Sequence, residues 1–364
     1  MDDSGPAGPD VGRFYFIRGI SMTRYFTILL AALAPTFVIS DAVAQEDNAI
    51  VDRHIAAAAR AAKADLLGPL TFCKYATADP PSRAVDEYGT LVKEPPLEPM
   101  QVMDELYFVG NYWTSAWAVK TSEGIVLIEA LDNPDEVQHY IEDGLKKLKL
   151  DPVDIKYVIV SHAHGDHYGG ASYLKKKFNA KIVMSDIDWK ALENPNFRPL
   201  KNPLFGEPPK RDMAVNDGDT IKLGDAIFKL YVIPGHTLGT LATAFAVHDN
   251  GKAHRAVAWG GTGFGFGPLP DRLQLYADTT EKYRGIMKEE KVDVLLSNHV
   301  TYDATVGKMG TLKEAPKDKK AAQTNPFIVG GDTIDRFLTV LGECALATKA
   351  YVEANPPKDT AAKK

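Results

Sequence analysis

The stretch "IKYVIVSHAHGDHYGG", residues 155–170, runs an apolar, β-branched strand straight into three histidines and an aspartate within six positions, His162 to His167. Two glycines then open a helical stretch. "IKYVIV" reads as a buried strand, so its ionisable continuation has to emerge at a sheet edge, where rigid scaffolds carry function on loops. Crowded neutral imidazoles bury unsatisfied nitrogens, and protonated ones repel one another. A solvated loop escapes both penalties, and so does a metal site.

The other histidines decide between them. Five of the nine follow apolar runs: His162, His164 and His167 after "YVIV", His236 after "LYVIPG", and His299 after "VLLSN". His162 and His164 flank Ala163, so a strand-like segment would aim both side chains the same way, with Asp166 and His167 turned to a neighbouring point. Two adjacent clusters result, each completed by a distant histidine. Neutral imidazoles with one carboxylate suit a borderline-soft cation, which predicts a site for one or two zinc ions. His54, His139, His248 and His254 lack such company and read as surface or core residues.

Around these motifs the chain alternates short strands and helices. "ELYFVG", "SAWAVKT" and "GIVLIEA" read as antiparallel strands, and "PDEVQHYIEDGLKKLKL" as a helix with early acids and late lysines. Strands at 155–160 and "AKIVMS", a helix at "DIDWKALE", and further strands at "TIKLGDAIFKLYV", "LATAFAV", "RAVAWG" and "VDVLLSNH" follow. Helices are expected over about 274–290 and 332–353. Both halves place strands before a helix, a strand and a helix, which predicts a mixed α/β layered fold with sheets face to face and helices outside. Residues 100–310 form the expected core. Residues 45–99 supply an alanine-rich helix ending at Gly68-Pro69 and a Pro-rich arm, and 311–364 a C-terminal extension with its helix.

Residues 1–44 read as an export signal, with Met22 an alternative start. Arg24, an apolar run and a small-residue exit at Ala42-Val43-Ala44 match its three parts, and the run is too short for a membrane span. A periplasmic or secreted chain without stable membrane insertion is predicted. A net charge of -6 argues against a nucleic-acid partner. Cys73 and Cys344 either pair in such a compartment or stay separately buried.

"HAHGDH" resembles the His-x-His-x-Asp-His signature of the metallo-β-lactamase superfamily, and "PGHTLGT" and "LLSNH" are similar to its later metal motifs. The run "LEPMQVMDELYFVGNYWTSAWAVKTSEGIVLIEAL" resembles the opening strands of the subclass B3-like branch. The resemblance spans roughly residues 97–300 and implies a four-layer αββα sandwich. It also implies one zinc on His162, His164 and His236 and a second on Asp166, His167 and His299. Two positions depart from the family: Gly260, Gly261 and Thr262 stand where many relatives have a bridging aspartate, a lack the B3-like branch shares. Glu129 stands where an aspartate is common.

Such a site implies a hydrolase of small molecules, in which metal-bound hydroxide attacks the substrate and Asp166 both ligates and orients the water. Trp113, Trp117, Trp259, Phe264 and Phe266, with Thr262 as the hydroxyl among them, are the expected walls. They favour a small apolar or aromatic substrate, with hydrolytic dehalogenation of chlorinated aromatics as one candidate. The alternatives are a B3-like β-lactamase and, from another class, a non-catalytic metal-binding scaffold. The terminal extensions offer surface for a homo-oligomer.

Overall fold

The structure, a computed structural model, describes residues 38–77, 96–196, 202–315 and 324–356. The segment expected to be an export signal, apart from the residues after 37, and most of the expected Pro-rich arm lie outside the described residues. The chain divides into two units, Met1–Asp41 and Ala42–Lys364. To the first, the described residues contribute only the start of the helix Val38–Ala62.

Two sheets dominate the second unit. One has seven strands in sequence order: β1 (Met100–Gln101), β2 (Leu106–Phe108), β3 (Trp117–Thr121), β4 (Gly124–Ile128), β5 (Ile155–Ile159), β6 (Lys181–Ser185) and β7 (Met213–Val215). β1 to β4 pair antiparallel, and β4 to β7 pair parallel. The second sheet has the order β12-β11-β10-β9-β8. Its strands are β8 (Thr220–Leu223), β9 (Ala226–Val232), β10 (Leu241–Asp249), β11 (Lys252–Trp259) and β12 (Val294–Ser297). There only the β11–β12 pair is parallel.

The strands read as near-continuous apolar runs because both faces of each sheet are covered. Between the sheets, Phe108, Trp117 and Ile128 meet Phe228, Leu230 and Phe245 in one buried core. Behind the seven-stranded sheet, Val137, Ile141, Leu174 and Trp189 fill a second. Behind the five-stranded sheet, the helices Pro270–Glu289 and Gly331–Ala354 close a third. The layering is therefore helix, sheet, sheet, helix, as the alternation of elements implied.

Three local expectations change. The N-terminal helix ends at Ala62, not at Gly68-Pro69, because Lys63 turns left-handed with φ 49°. Gly68 serves instead as a close approach: a Cβ there would lie 2.2 Å from the Thr301 carbonyl. A helix over Thr305–Glu314 crosses the boundary expected at 310. Cys73 and Cys344, left open by the sequence, are paired in a disulfide.

Candidate metal centre

The chain ends of parallel strands β4, β5, β11 and β12 open onto one edge of the sandwich, the usual place for a ligand in α/β sheets. Ser161 closes that edge between the sheets, its carbonyl accepting from the Leu241 amide at 2.8 Å. Beyond Ser161 the backbone does not continue as a strand. His164 N donates to the His162 carbonyl at 2.9 Å, a tight three-residue turn. The two side chains therefore converge through different atoms, Nε2 of His162 and Nδ1 of His164, and not through the strand alternation expected. A helical turn, Gly165–Tyr168, then carries Asp166 and His167. It packs so closely against the β4 end that a Cβ on Gly169 would sit 1.7 Å from the Asp132 carbonyl.

His162, His164 and His236 form one group, and Asp166, His167 and His299 the other, with one ligand atom from each residue lying within 4.8 Å of the rest. His162 Nε2 and His236 Nε2 each lie 3.0 Å from His164 Nδ1. Asp166 Oδ2 lies 3.3 Å from His167 Nε2 and 3.6 Å from His299 Nε2.

Hydrogen bonds on the far side of each ring say what these atoms carry. His236 Nδ1 donates to the Gly263 carbonyl at 2.8 Å, and His299 Nδ1 to the Trp113 carbonyl at 3.0 Å. A carbonyl only accepts, so each of these neutral rings presents a lone pair on Nε2. In His162, Nδ1 lies 2.8 Å from Ser161 Oγ. A single proton on His164 Nδ1 could satisfy only one of its two facing nitrogens, and the His299 lone pair faces a carboxylate oxygen. Burial, reinforced by the neighbouring histidines, holds His162 and His236 well below the usual imidazole pKa. Burial and His167 lower His299 to about 4. Burial alone would raise Asp166, but His167 and His299 hold it well below the carboxylate range. Converging imidazole nitrogens at the first cluster, and the His299 lone pair with the His167 ring beside an ionised carboxylate at the second, fit divalent cations of zinc's kind, the second cation taking the place of a proton on His167. Carbonyl and carboxylate partners stand behind the rings.

Glu129 is one of those partners. It is buried at φ 73°, an unusual conformation for a side chain of its size. Its Oε2 accepts from Ser161 N at 3.2 Å and lies 3.3 Å from His167 Nδ1. Burial opposes charge on His167, yet Asp166 and Glu129 lift it to about 10. Asn298 adds an amide 3.4 Å from His167 Nε2.

Asp188 was not singled out in the sequence. Its buried carboxylate accepts from Ala163 N at 2.9 Å, between two candidate ligands, and from Thr237 Oγ1 at 2.8 Å and Gly239 N at 3.0 Å, just past a third. One side chain thus braces both loops of the first cluster. The pattern Ser185-x-x-Asp188 was visible, but it reads as a helix cap, and Ser185 does accept from Asp188 N. Asp188→Ala strands three buried donors at roughly 1–3 kcal/mol each. We expect a loss on the order of 3 kcal/mol in stability and weaker metal retention in chelator competition, with Asp188→Asn milder because one acceptor oxygen remains.

The expected walls separate into two sets. Trp113 stays at the site, its indole N–H 3.4 Å from Asp166 Oδ2 and its ring 4.8 Å from that of His299. Phe266 is half-buried on the loop that follows Gly263, against Phe264 and Arg272. Trp117 and Trp259 are core residues, a correction to the expectation. Trp117 is edge-on to Phe108 and Phe327 between the sheets, and Trp259 faces the helix layer against Tyr283. Both sit within strands whose two faces are covered, where aromatics fill the core. Phe264 is buried against Phe72 and Tyr276, and the Thr262 hydroxyl is spent on Asn298 Oδ1 at 2.8 Å. His54, His248 and His254 meet Glu343, Glu105 and Asp293, away from both clusters, and His139 lies edge-on to Tyr140.

A four-layer sandwich with two histidine-rich clusters at its strand ends defines the class of protein. Residues 112–247 match the family described as "Metallo-beta-lactamase superfamily". That match, with the solved structures that follow, supports a resemblance to the superfamily and to its B3-like branch. It is similar to BJP-1, a subclass B3 metallo-β-lactamase of Bradyrhizobium japonicum, at 28% identity and a TM-score of 0.56, over 68% of this chain and 92% of that one. The class B3 di-zinc metallo-β-lactamase LRA-12 from an Alaskan soil metagenome shares the fold at 22% identity and a TM-score of 0.55, over 67% of this chain and 90% of that one. The hydroxyacylglutathione hydrolase of Rhodopseudomonas palustris (strain BisA53) is 34% identical over 26% of this chain and 30% of its own length. The chain thus spans about a third of that curated relative.

Proposed function

We propose that this chain is a hydrolase that binds two zinc ions, the first on His162, His164 and His236 and the second on Asp166, His167 and His299. On this reading it cleaves an activated acyl bond, with a β-lactam amide the first substrate to test. The observation that carries the proposal is the convergence of five imidazoles and one carboxylate on two adjacent points. Bound zinc supplies a Lewis acid and a water whose pKa falls to about 7. The protein's own residues set the geometry: Glu129 and the Trp113 and Gly263 carbonyls orient the rings, and the Trp113 indole N–H steadies the Asp166 carboxylate. The acyl preference rests on the β-lactamases and the glutathione-ester hydrolase that the chain resembles.

Hydrolytic dehalogenation of a chlorinated aromatic is the second reading, favoured by Trp113 beside Asp166. The removal of Trp117 and Trp259 into the core weakens it. Export to the periplasm or the medium is a further part of the proposal. The Cys73–Cys344 disulfide supports it, since such bonds persist in oxidising compartments.

The test is turnover by the zinc-loaded protein, following β-lactam opening by absorbance and chloride release from an electron-poor chloroarene, each with a chelated control. Chelator-sensitive lactam opening is expected. Chloride release alone would shift the assignment to the dehalogenase, and zinc bound at two per chain without any turnover would leave a scaffold.

A further inference from the structure

One buried side chain beside the second cluster points a hydrogen-bond donor at the metal centre. Asn298 directly precedes the candidate ligand His299 and is only 4% exposed. Its backbone is tied to both sheets. Its N–H donates to the Trp259 carbonyl at 3.3 Å, at the end of β11, and its carbonyl accepts at 3.0 Å from Ser115 N, just ahead of β3.

The neighbours of the side-chain amide sort its two ends. Oδ1 accepts from the Thr262 hydroxyl at 2.8 Å and faces the Ser297 hydroxyl at 3.4 Å. Ser297 Oγ itself accepts from His299 N at 3.3 Å, which leaves its own proton for Asn298. With hydroxyl donors at the oxygen, the amide nitrogen is turned the other way, to 3.4 Å from His167 Nε2. Among the described residues, no other acceptor lies within hydrogen-bond distance of that nitrogen.

His167 cannot be the acceptor once the second cluster is filled. An imidazole nitrogen has one lone pair, and a nitrogen that holds a cation has given it up. The N–H groups of Asn298 then have no partner within the protein, in a place nearly closed to solvent. A leucine of similar shape would fill the space without that penalty. Instead, two hydroxyl groups and two backbone contacts hold one amide in one orientation. A donor fixed in advance, in a water-poor place beside the reacting atoms, is suited to stabilising charge on an oxygen.

We infer that Asn298 is a catalytic residue whose side-chain N–H donates to an oxygen of the reacting group at the second cluster. The site thereby favours, at that point, an oxygen with a spare lone pair over an atom that has none. Thr262, expected from the sequence to face the substrate, acts through Asn298 as a positioning residue. The inference rests on the metal-centre reading above and adds a residue to its chemistry.

The test reads binding without turnover, on zinc-loaded protein whose metal content is measured before and after each titration. Acetohydroxamate presents oxygens that keep a lone pair when they meet a cation, whereas imidazole presents a nitrogen that keeps none. Both are titrated calorimetrically into the unaltered protein, Asn298→Leu and Thr262→Val. Asn298→Leu is expected to weaken acetohydroxamate about tenfold or more and to leave imidazole within twofold. Thr262→Val keeps the donor but frees its orientation, and should weaken acetohydroxamate by about threefold. It decides the matter, on the same criteria, where the leucine variant does not fold. Acetohydroxamate binding that is unchanged in Asn298→Leu would overturn the inference. So would a loss matched by imidazole, which would mean that Asn298 serves only the metal ligands. Fewer than two zinc ions per unaltered chain would instead overturn the metal-centre reading, and this inference with it.

Discussion

Zinc-loaded protein carrying His164→Ala should retain its fold and lose the metal of the first cluster, with kcat/KM down by three orders of magnitude or more. The reason lies in where the side chain stands. His164 Nδ1 is the common neighbour of His162 Nε2 and His236 Nε2, at 3.0 Å from each. Removing it leaves two nitrogens facing an open position. Lewis-acid stabilisation worth several kcal/mol corresponds to three or more factors of ten in rate. The side chain is only half-buried, so its loss should hardly disturb the core. The check pairs metal content at buffered free zinc with turnover and thermal melting. His54→Ala, altering a histidine held by Glu343 at 2.7 Å, is the control and should change neither metal content nor rate. Full activity in His164→Ala would sink the two-cluster mechanism.

The ligand set was legible because its signal is local. Strand ends are written in apolar runs, and residue types that cannot be buried singly stand immediately after them. His162, His164, Asp166, His167, His236 and His299 all meet at the edge where those strands stop. The geometry that joins them was not legible. A turn from His162 to His164 replaces the strand alternation, and a one-residue change in local conformation is invisible to periodicity. Asp188 was hidden for a different reason: its role lies in contacts to Ala163, Thr237 and Gly239, which are distant in sequence. Trp117 and Trp259 misled because an aromatic residue on a strand looks the same whichever face it occupies. Only the register, with Trp117 opposite Ile128 and Trp259 opposite Ala242, fixes which layer receives each ring.

Removing the Cys73–Cys344 bond is expected to lower stability by on the order of 4 kcal/mol and the melting temperature by about 6 °C. The bond closes a loop with a sequence separation of 271 residues, so reduction restores a large conformational freedom to the unfolded chain. Its anchors are also rigid. Cys344 is fully buried in the helix Gly331–Ala354, and Cys73 belongs to the same core as Phe72 and Phe264. Phe72 in turn lies 4.5 Å from the Tyr302 ring and 5.6 Å from the Phe264 ring. Those residues belong to the segments that follow His299 and Gly263. The cross-link therefore fastens a short N-terminal segment beneath two loops of the metal centre. At 25 °C the packing of Phe72 should hold that segment without the covalent bond, so turnover in the Cys73→Ala/Cys344→Ala variant should stay within twofold. On heating, activity should fail about 6 °C earlier than in the cross-linked protein. Calorimetry on the variant, and on the unaltered protein with and without a dithiol, separates these effects. A shift below about 2 °C would mean that the unfolded chain gains little freedom, and turnover already lost at 25 °C would mean that the bond positions the metal centre itself.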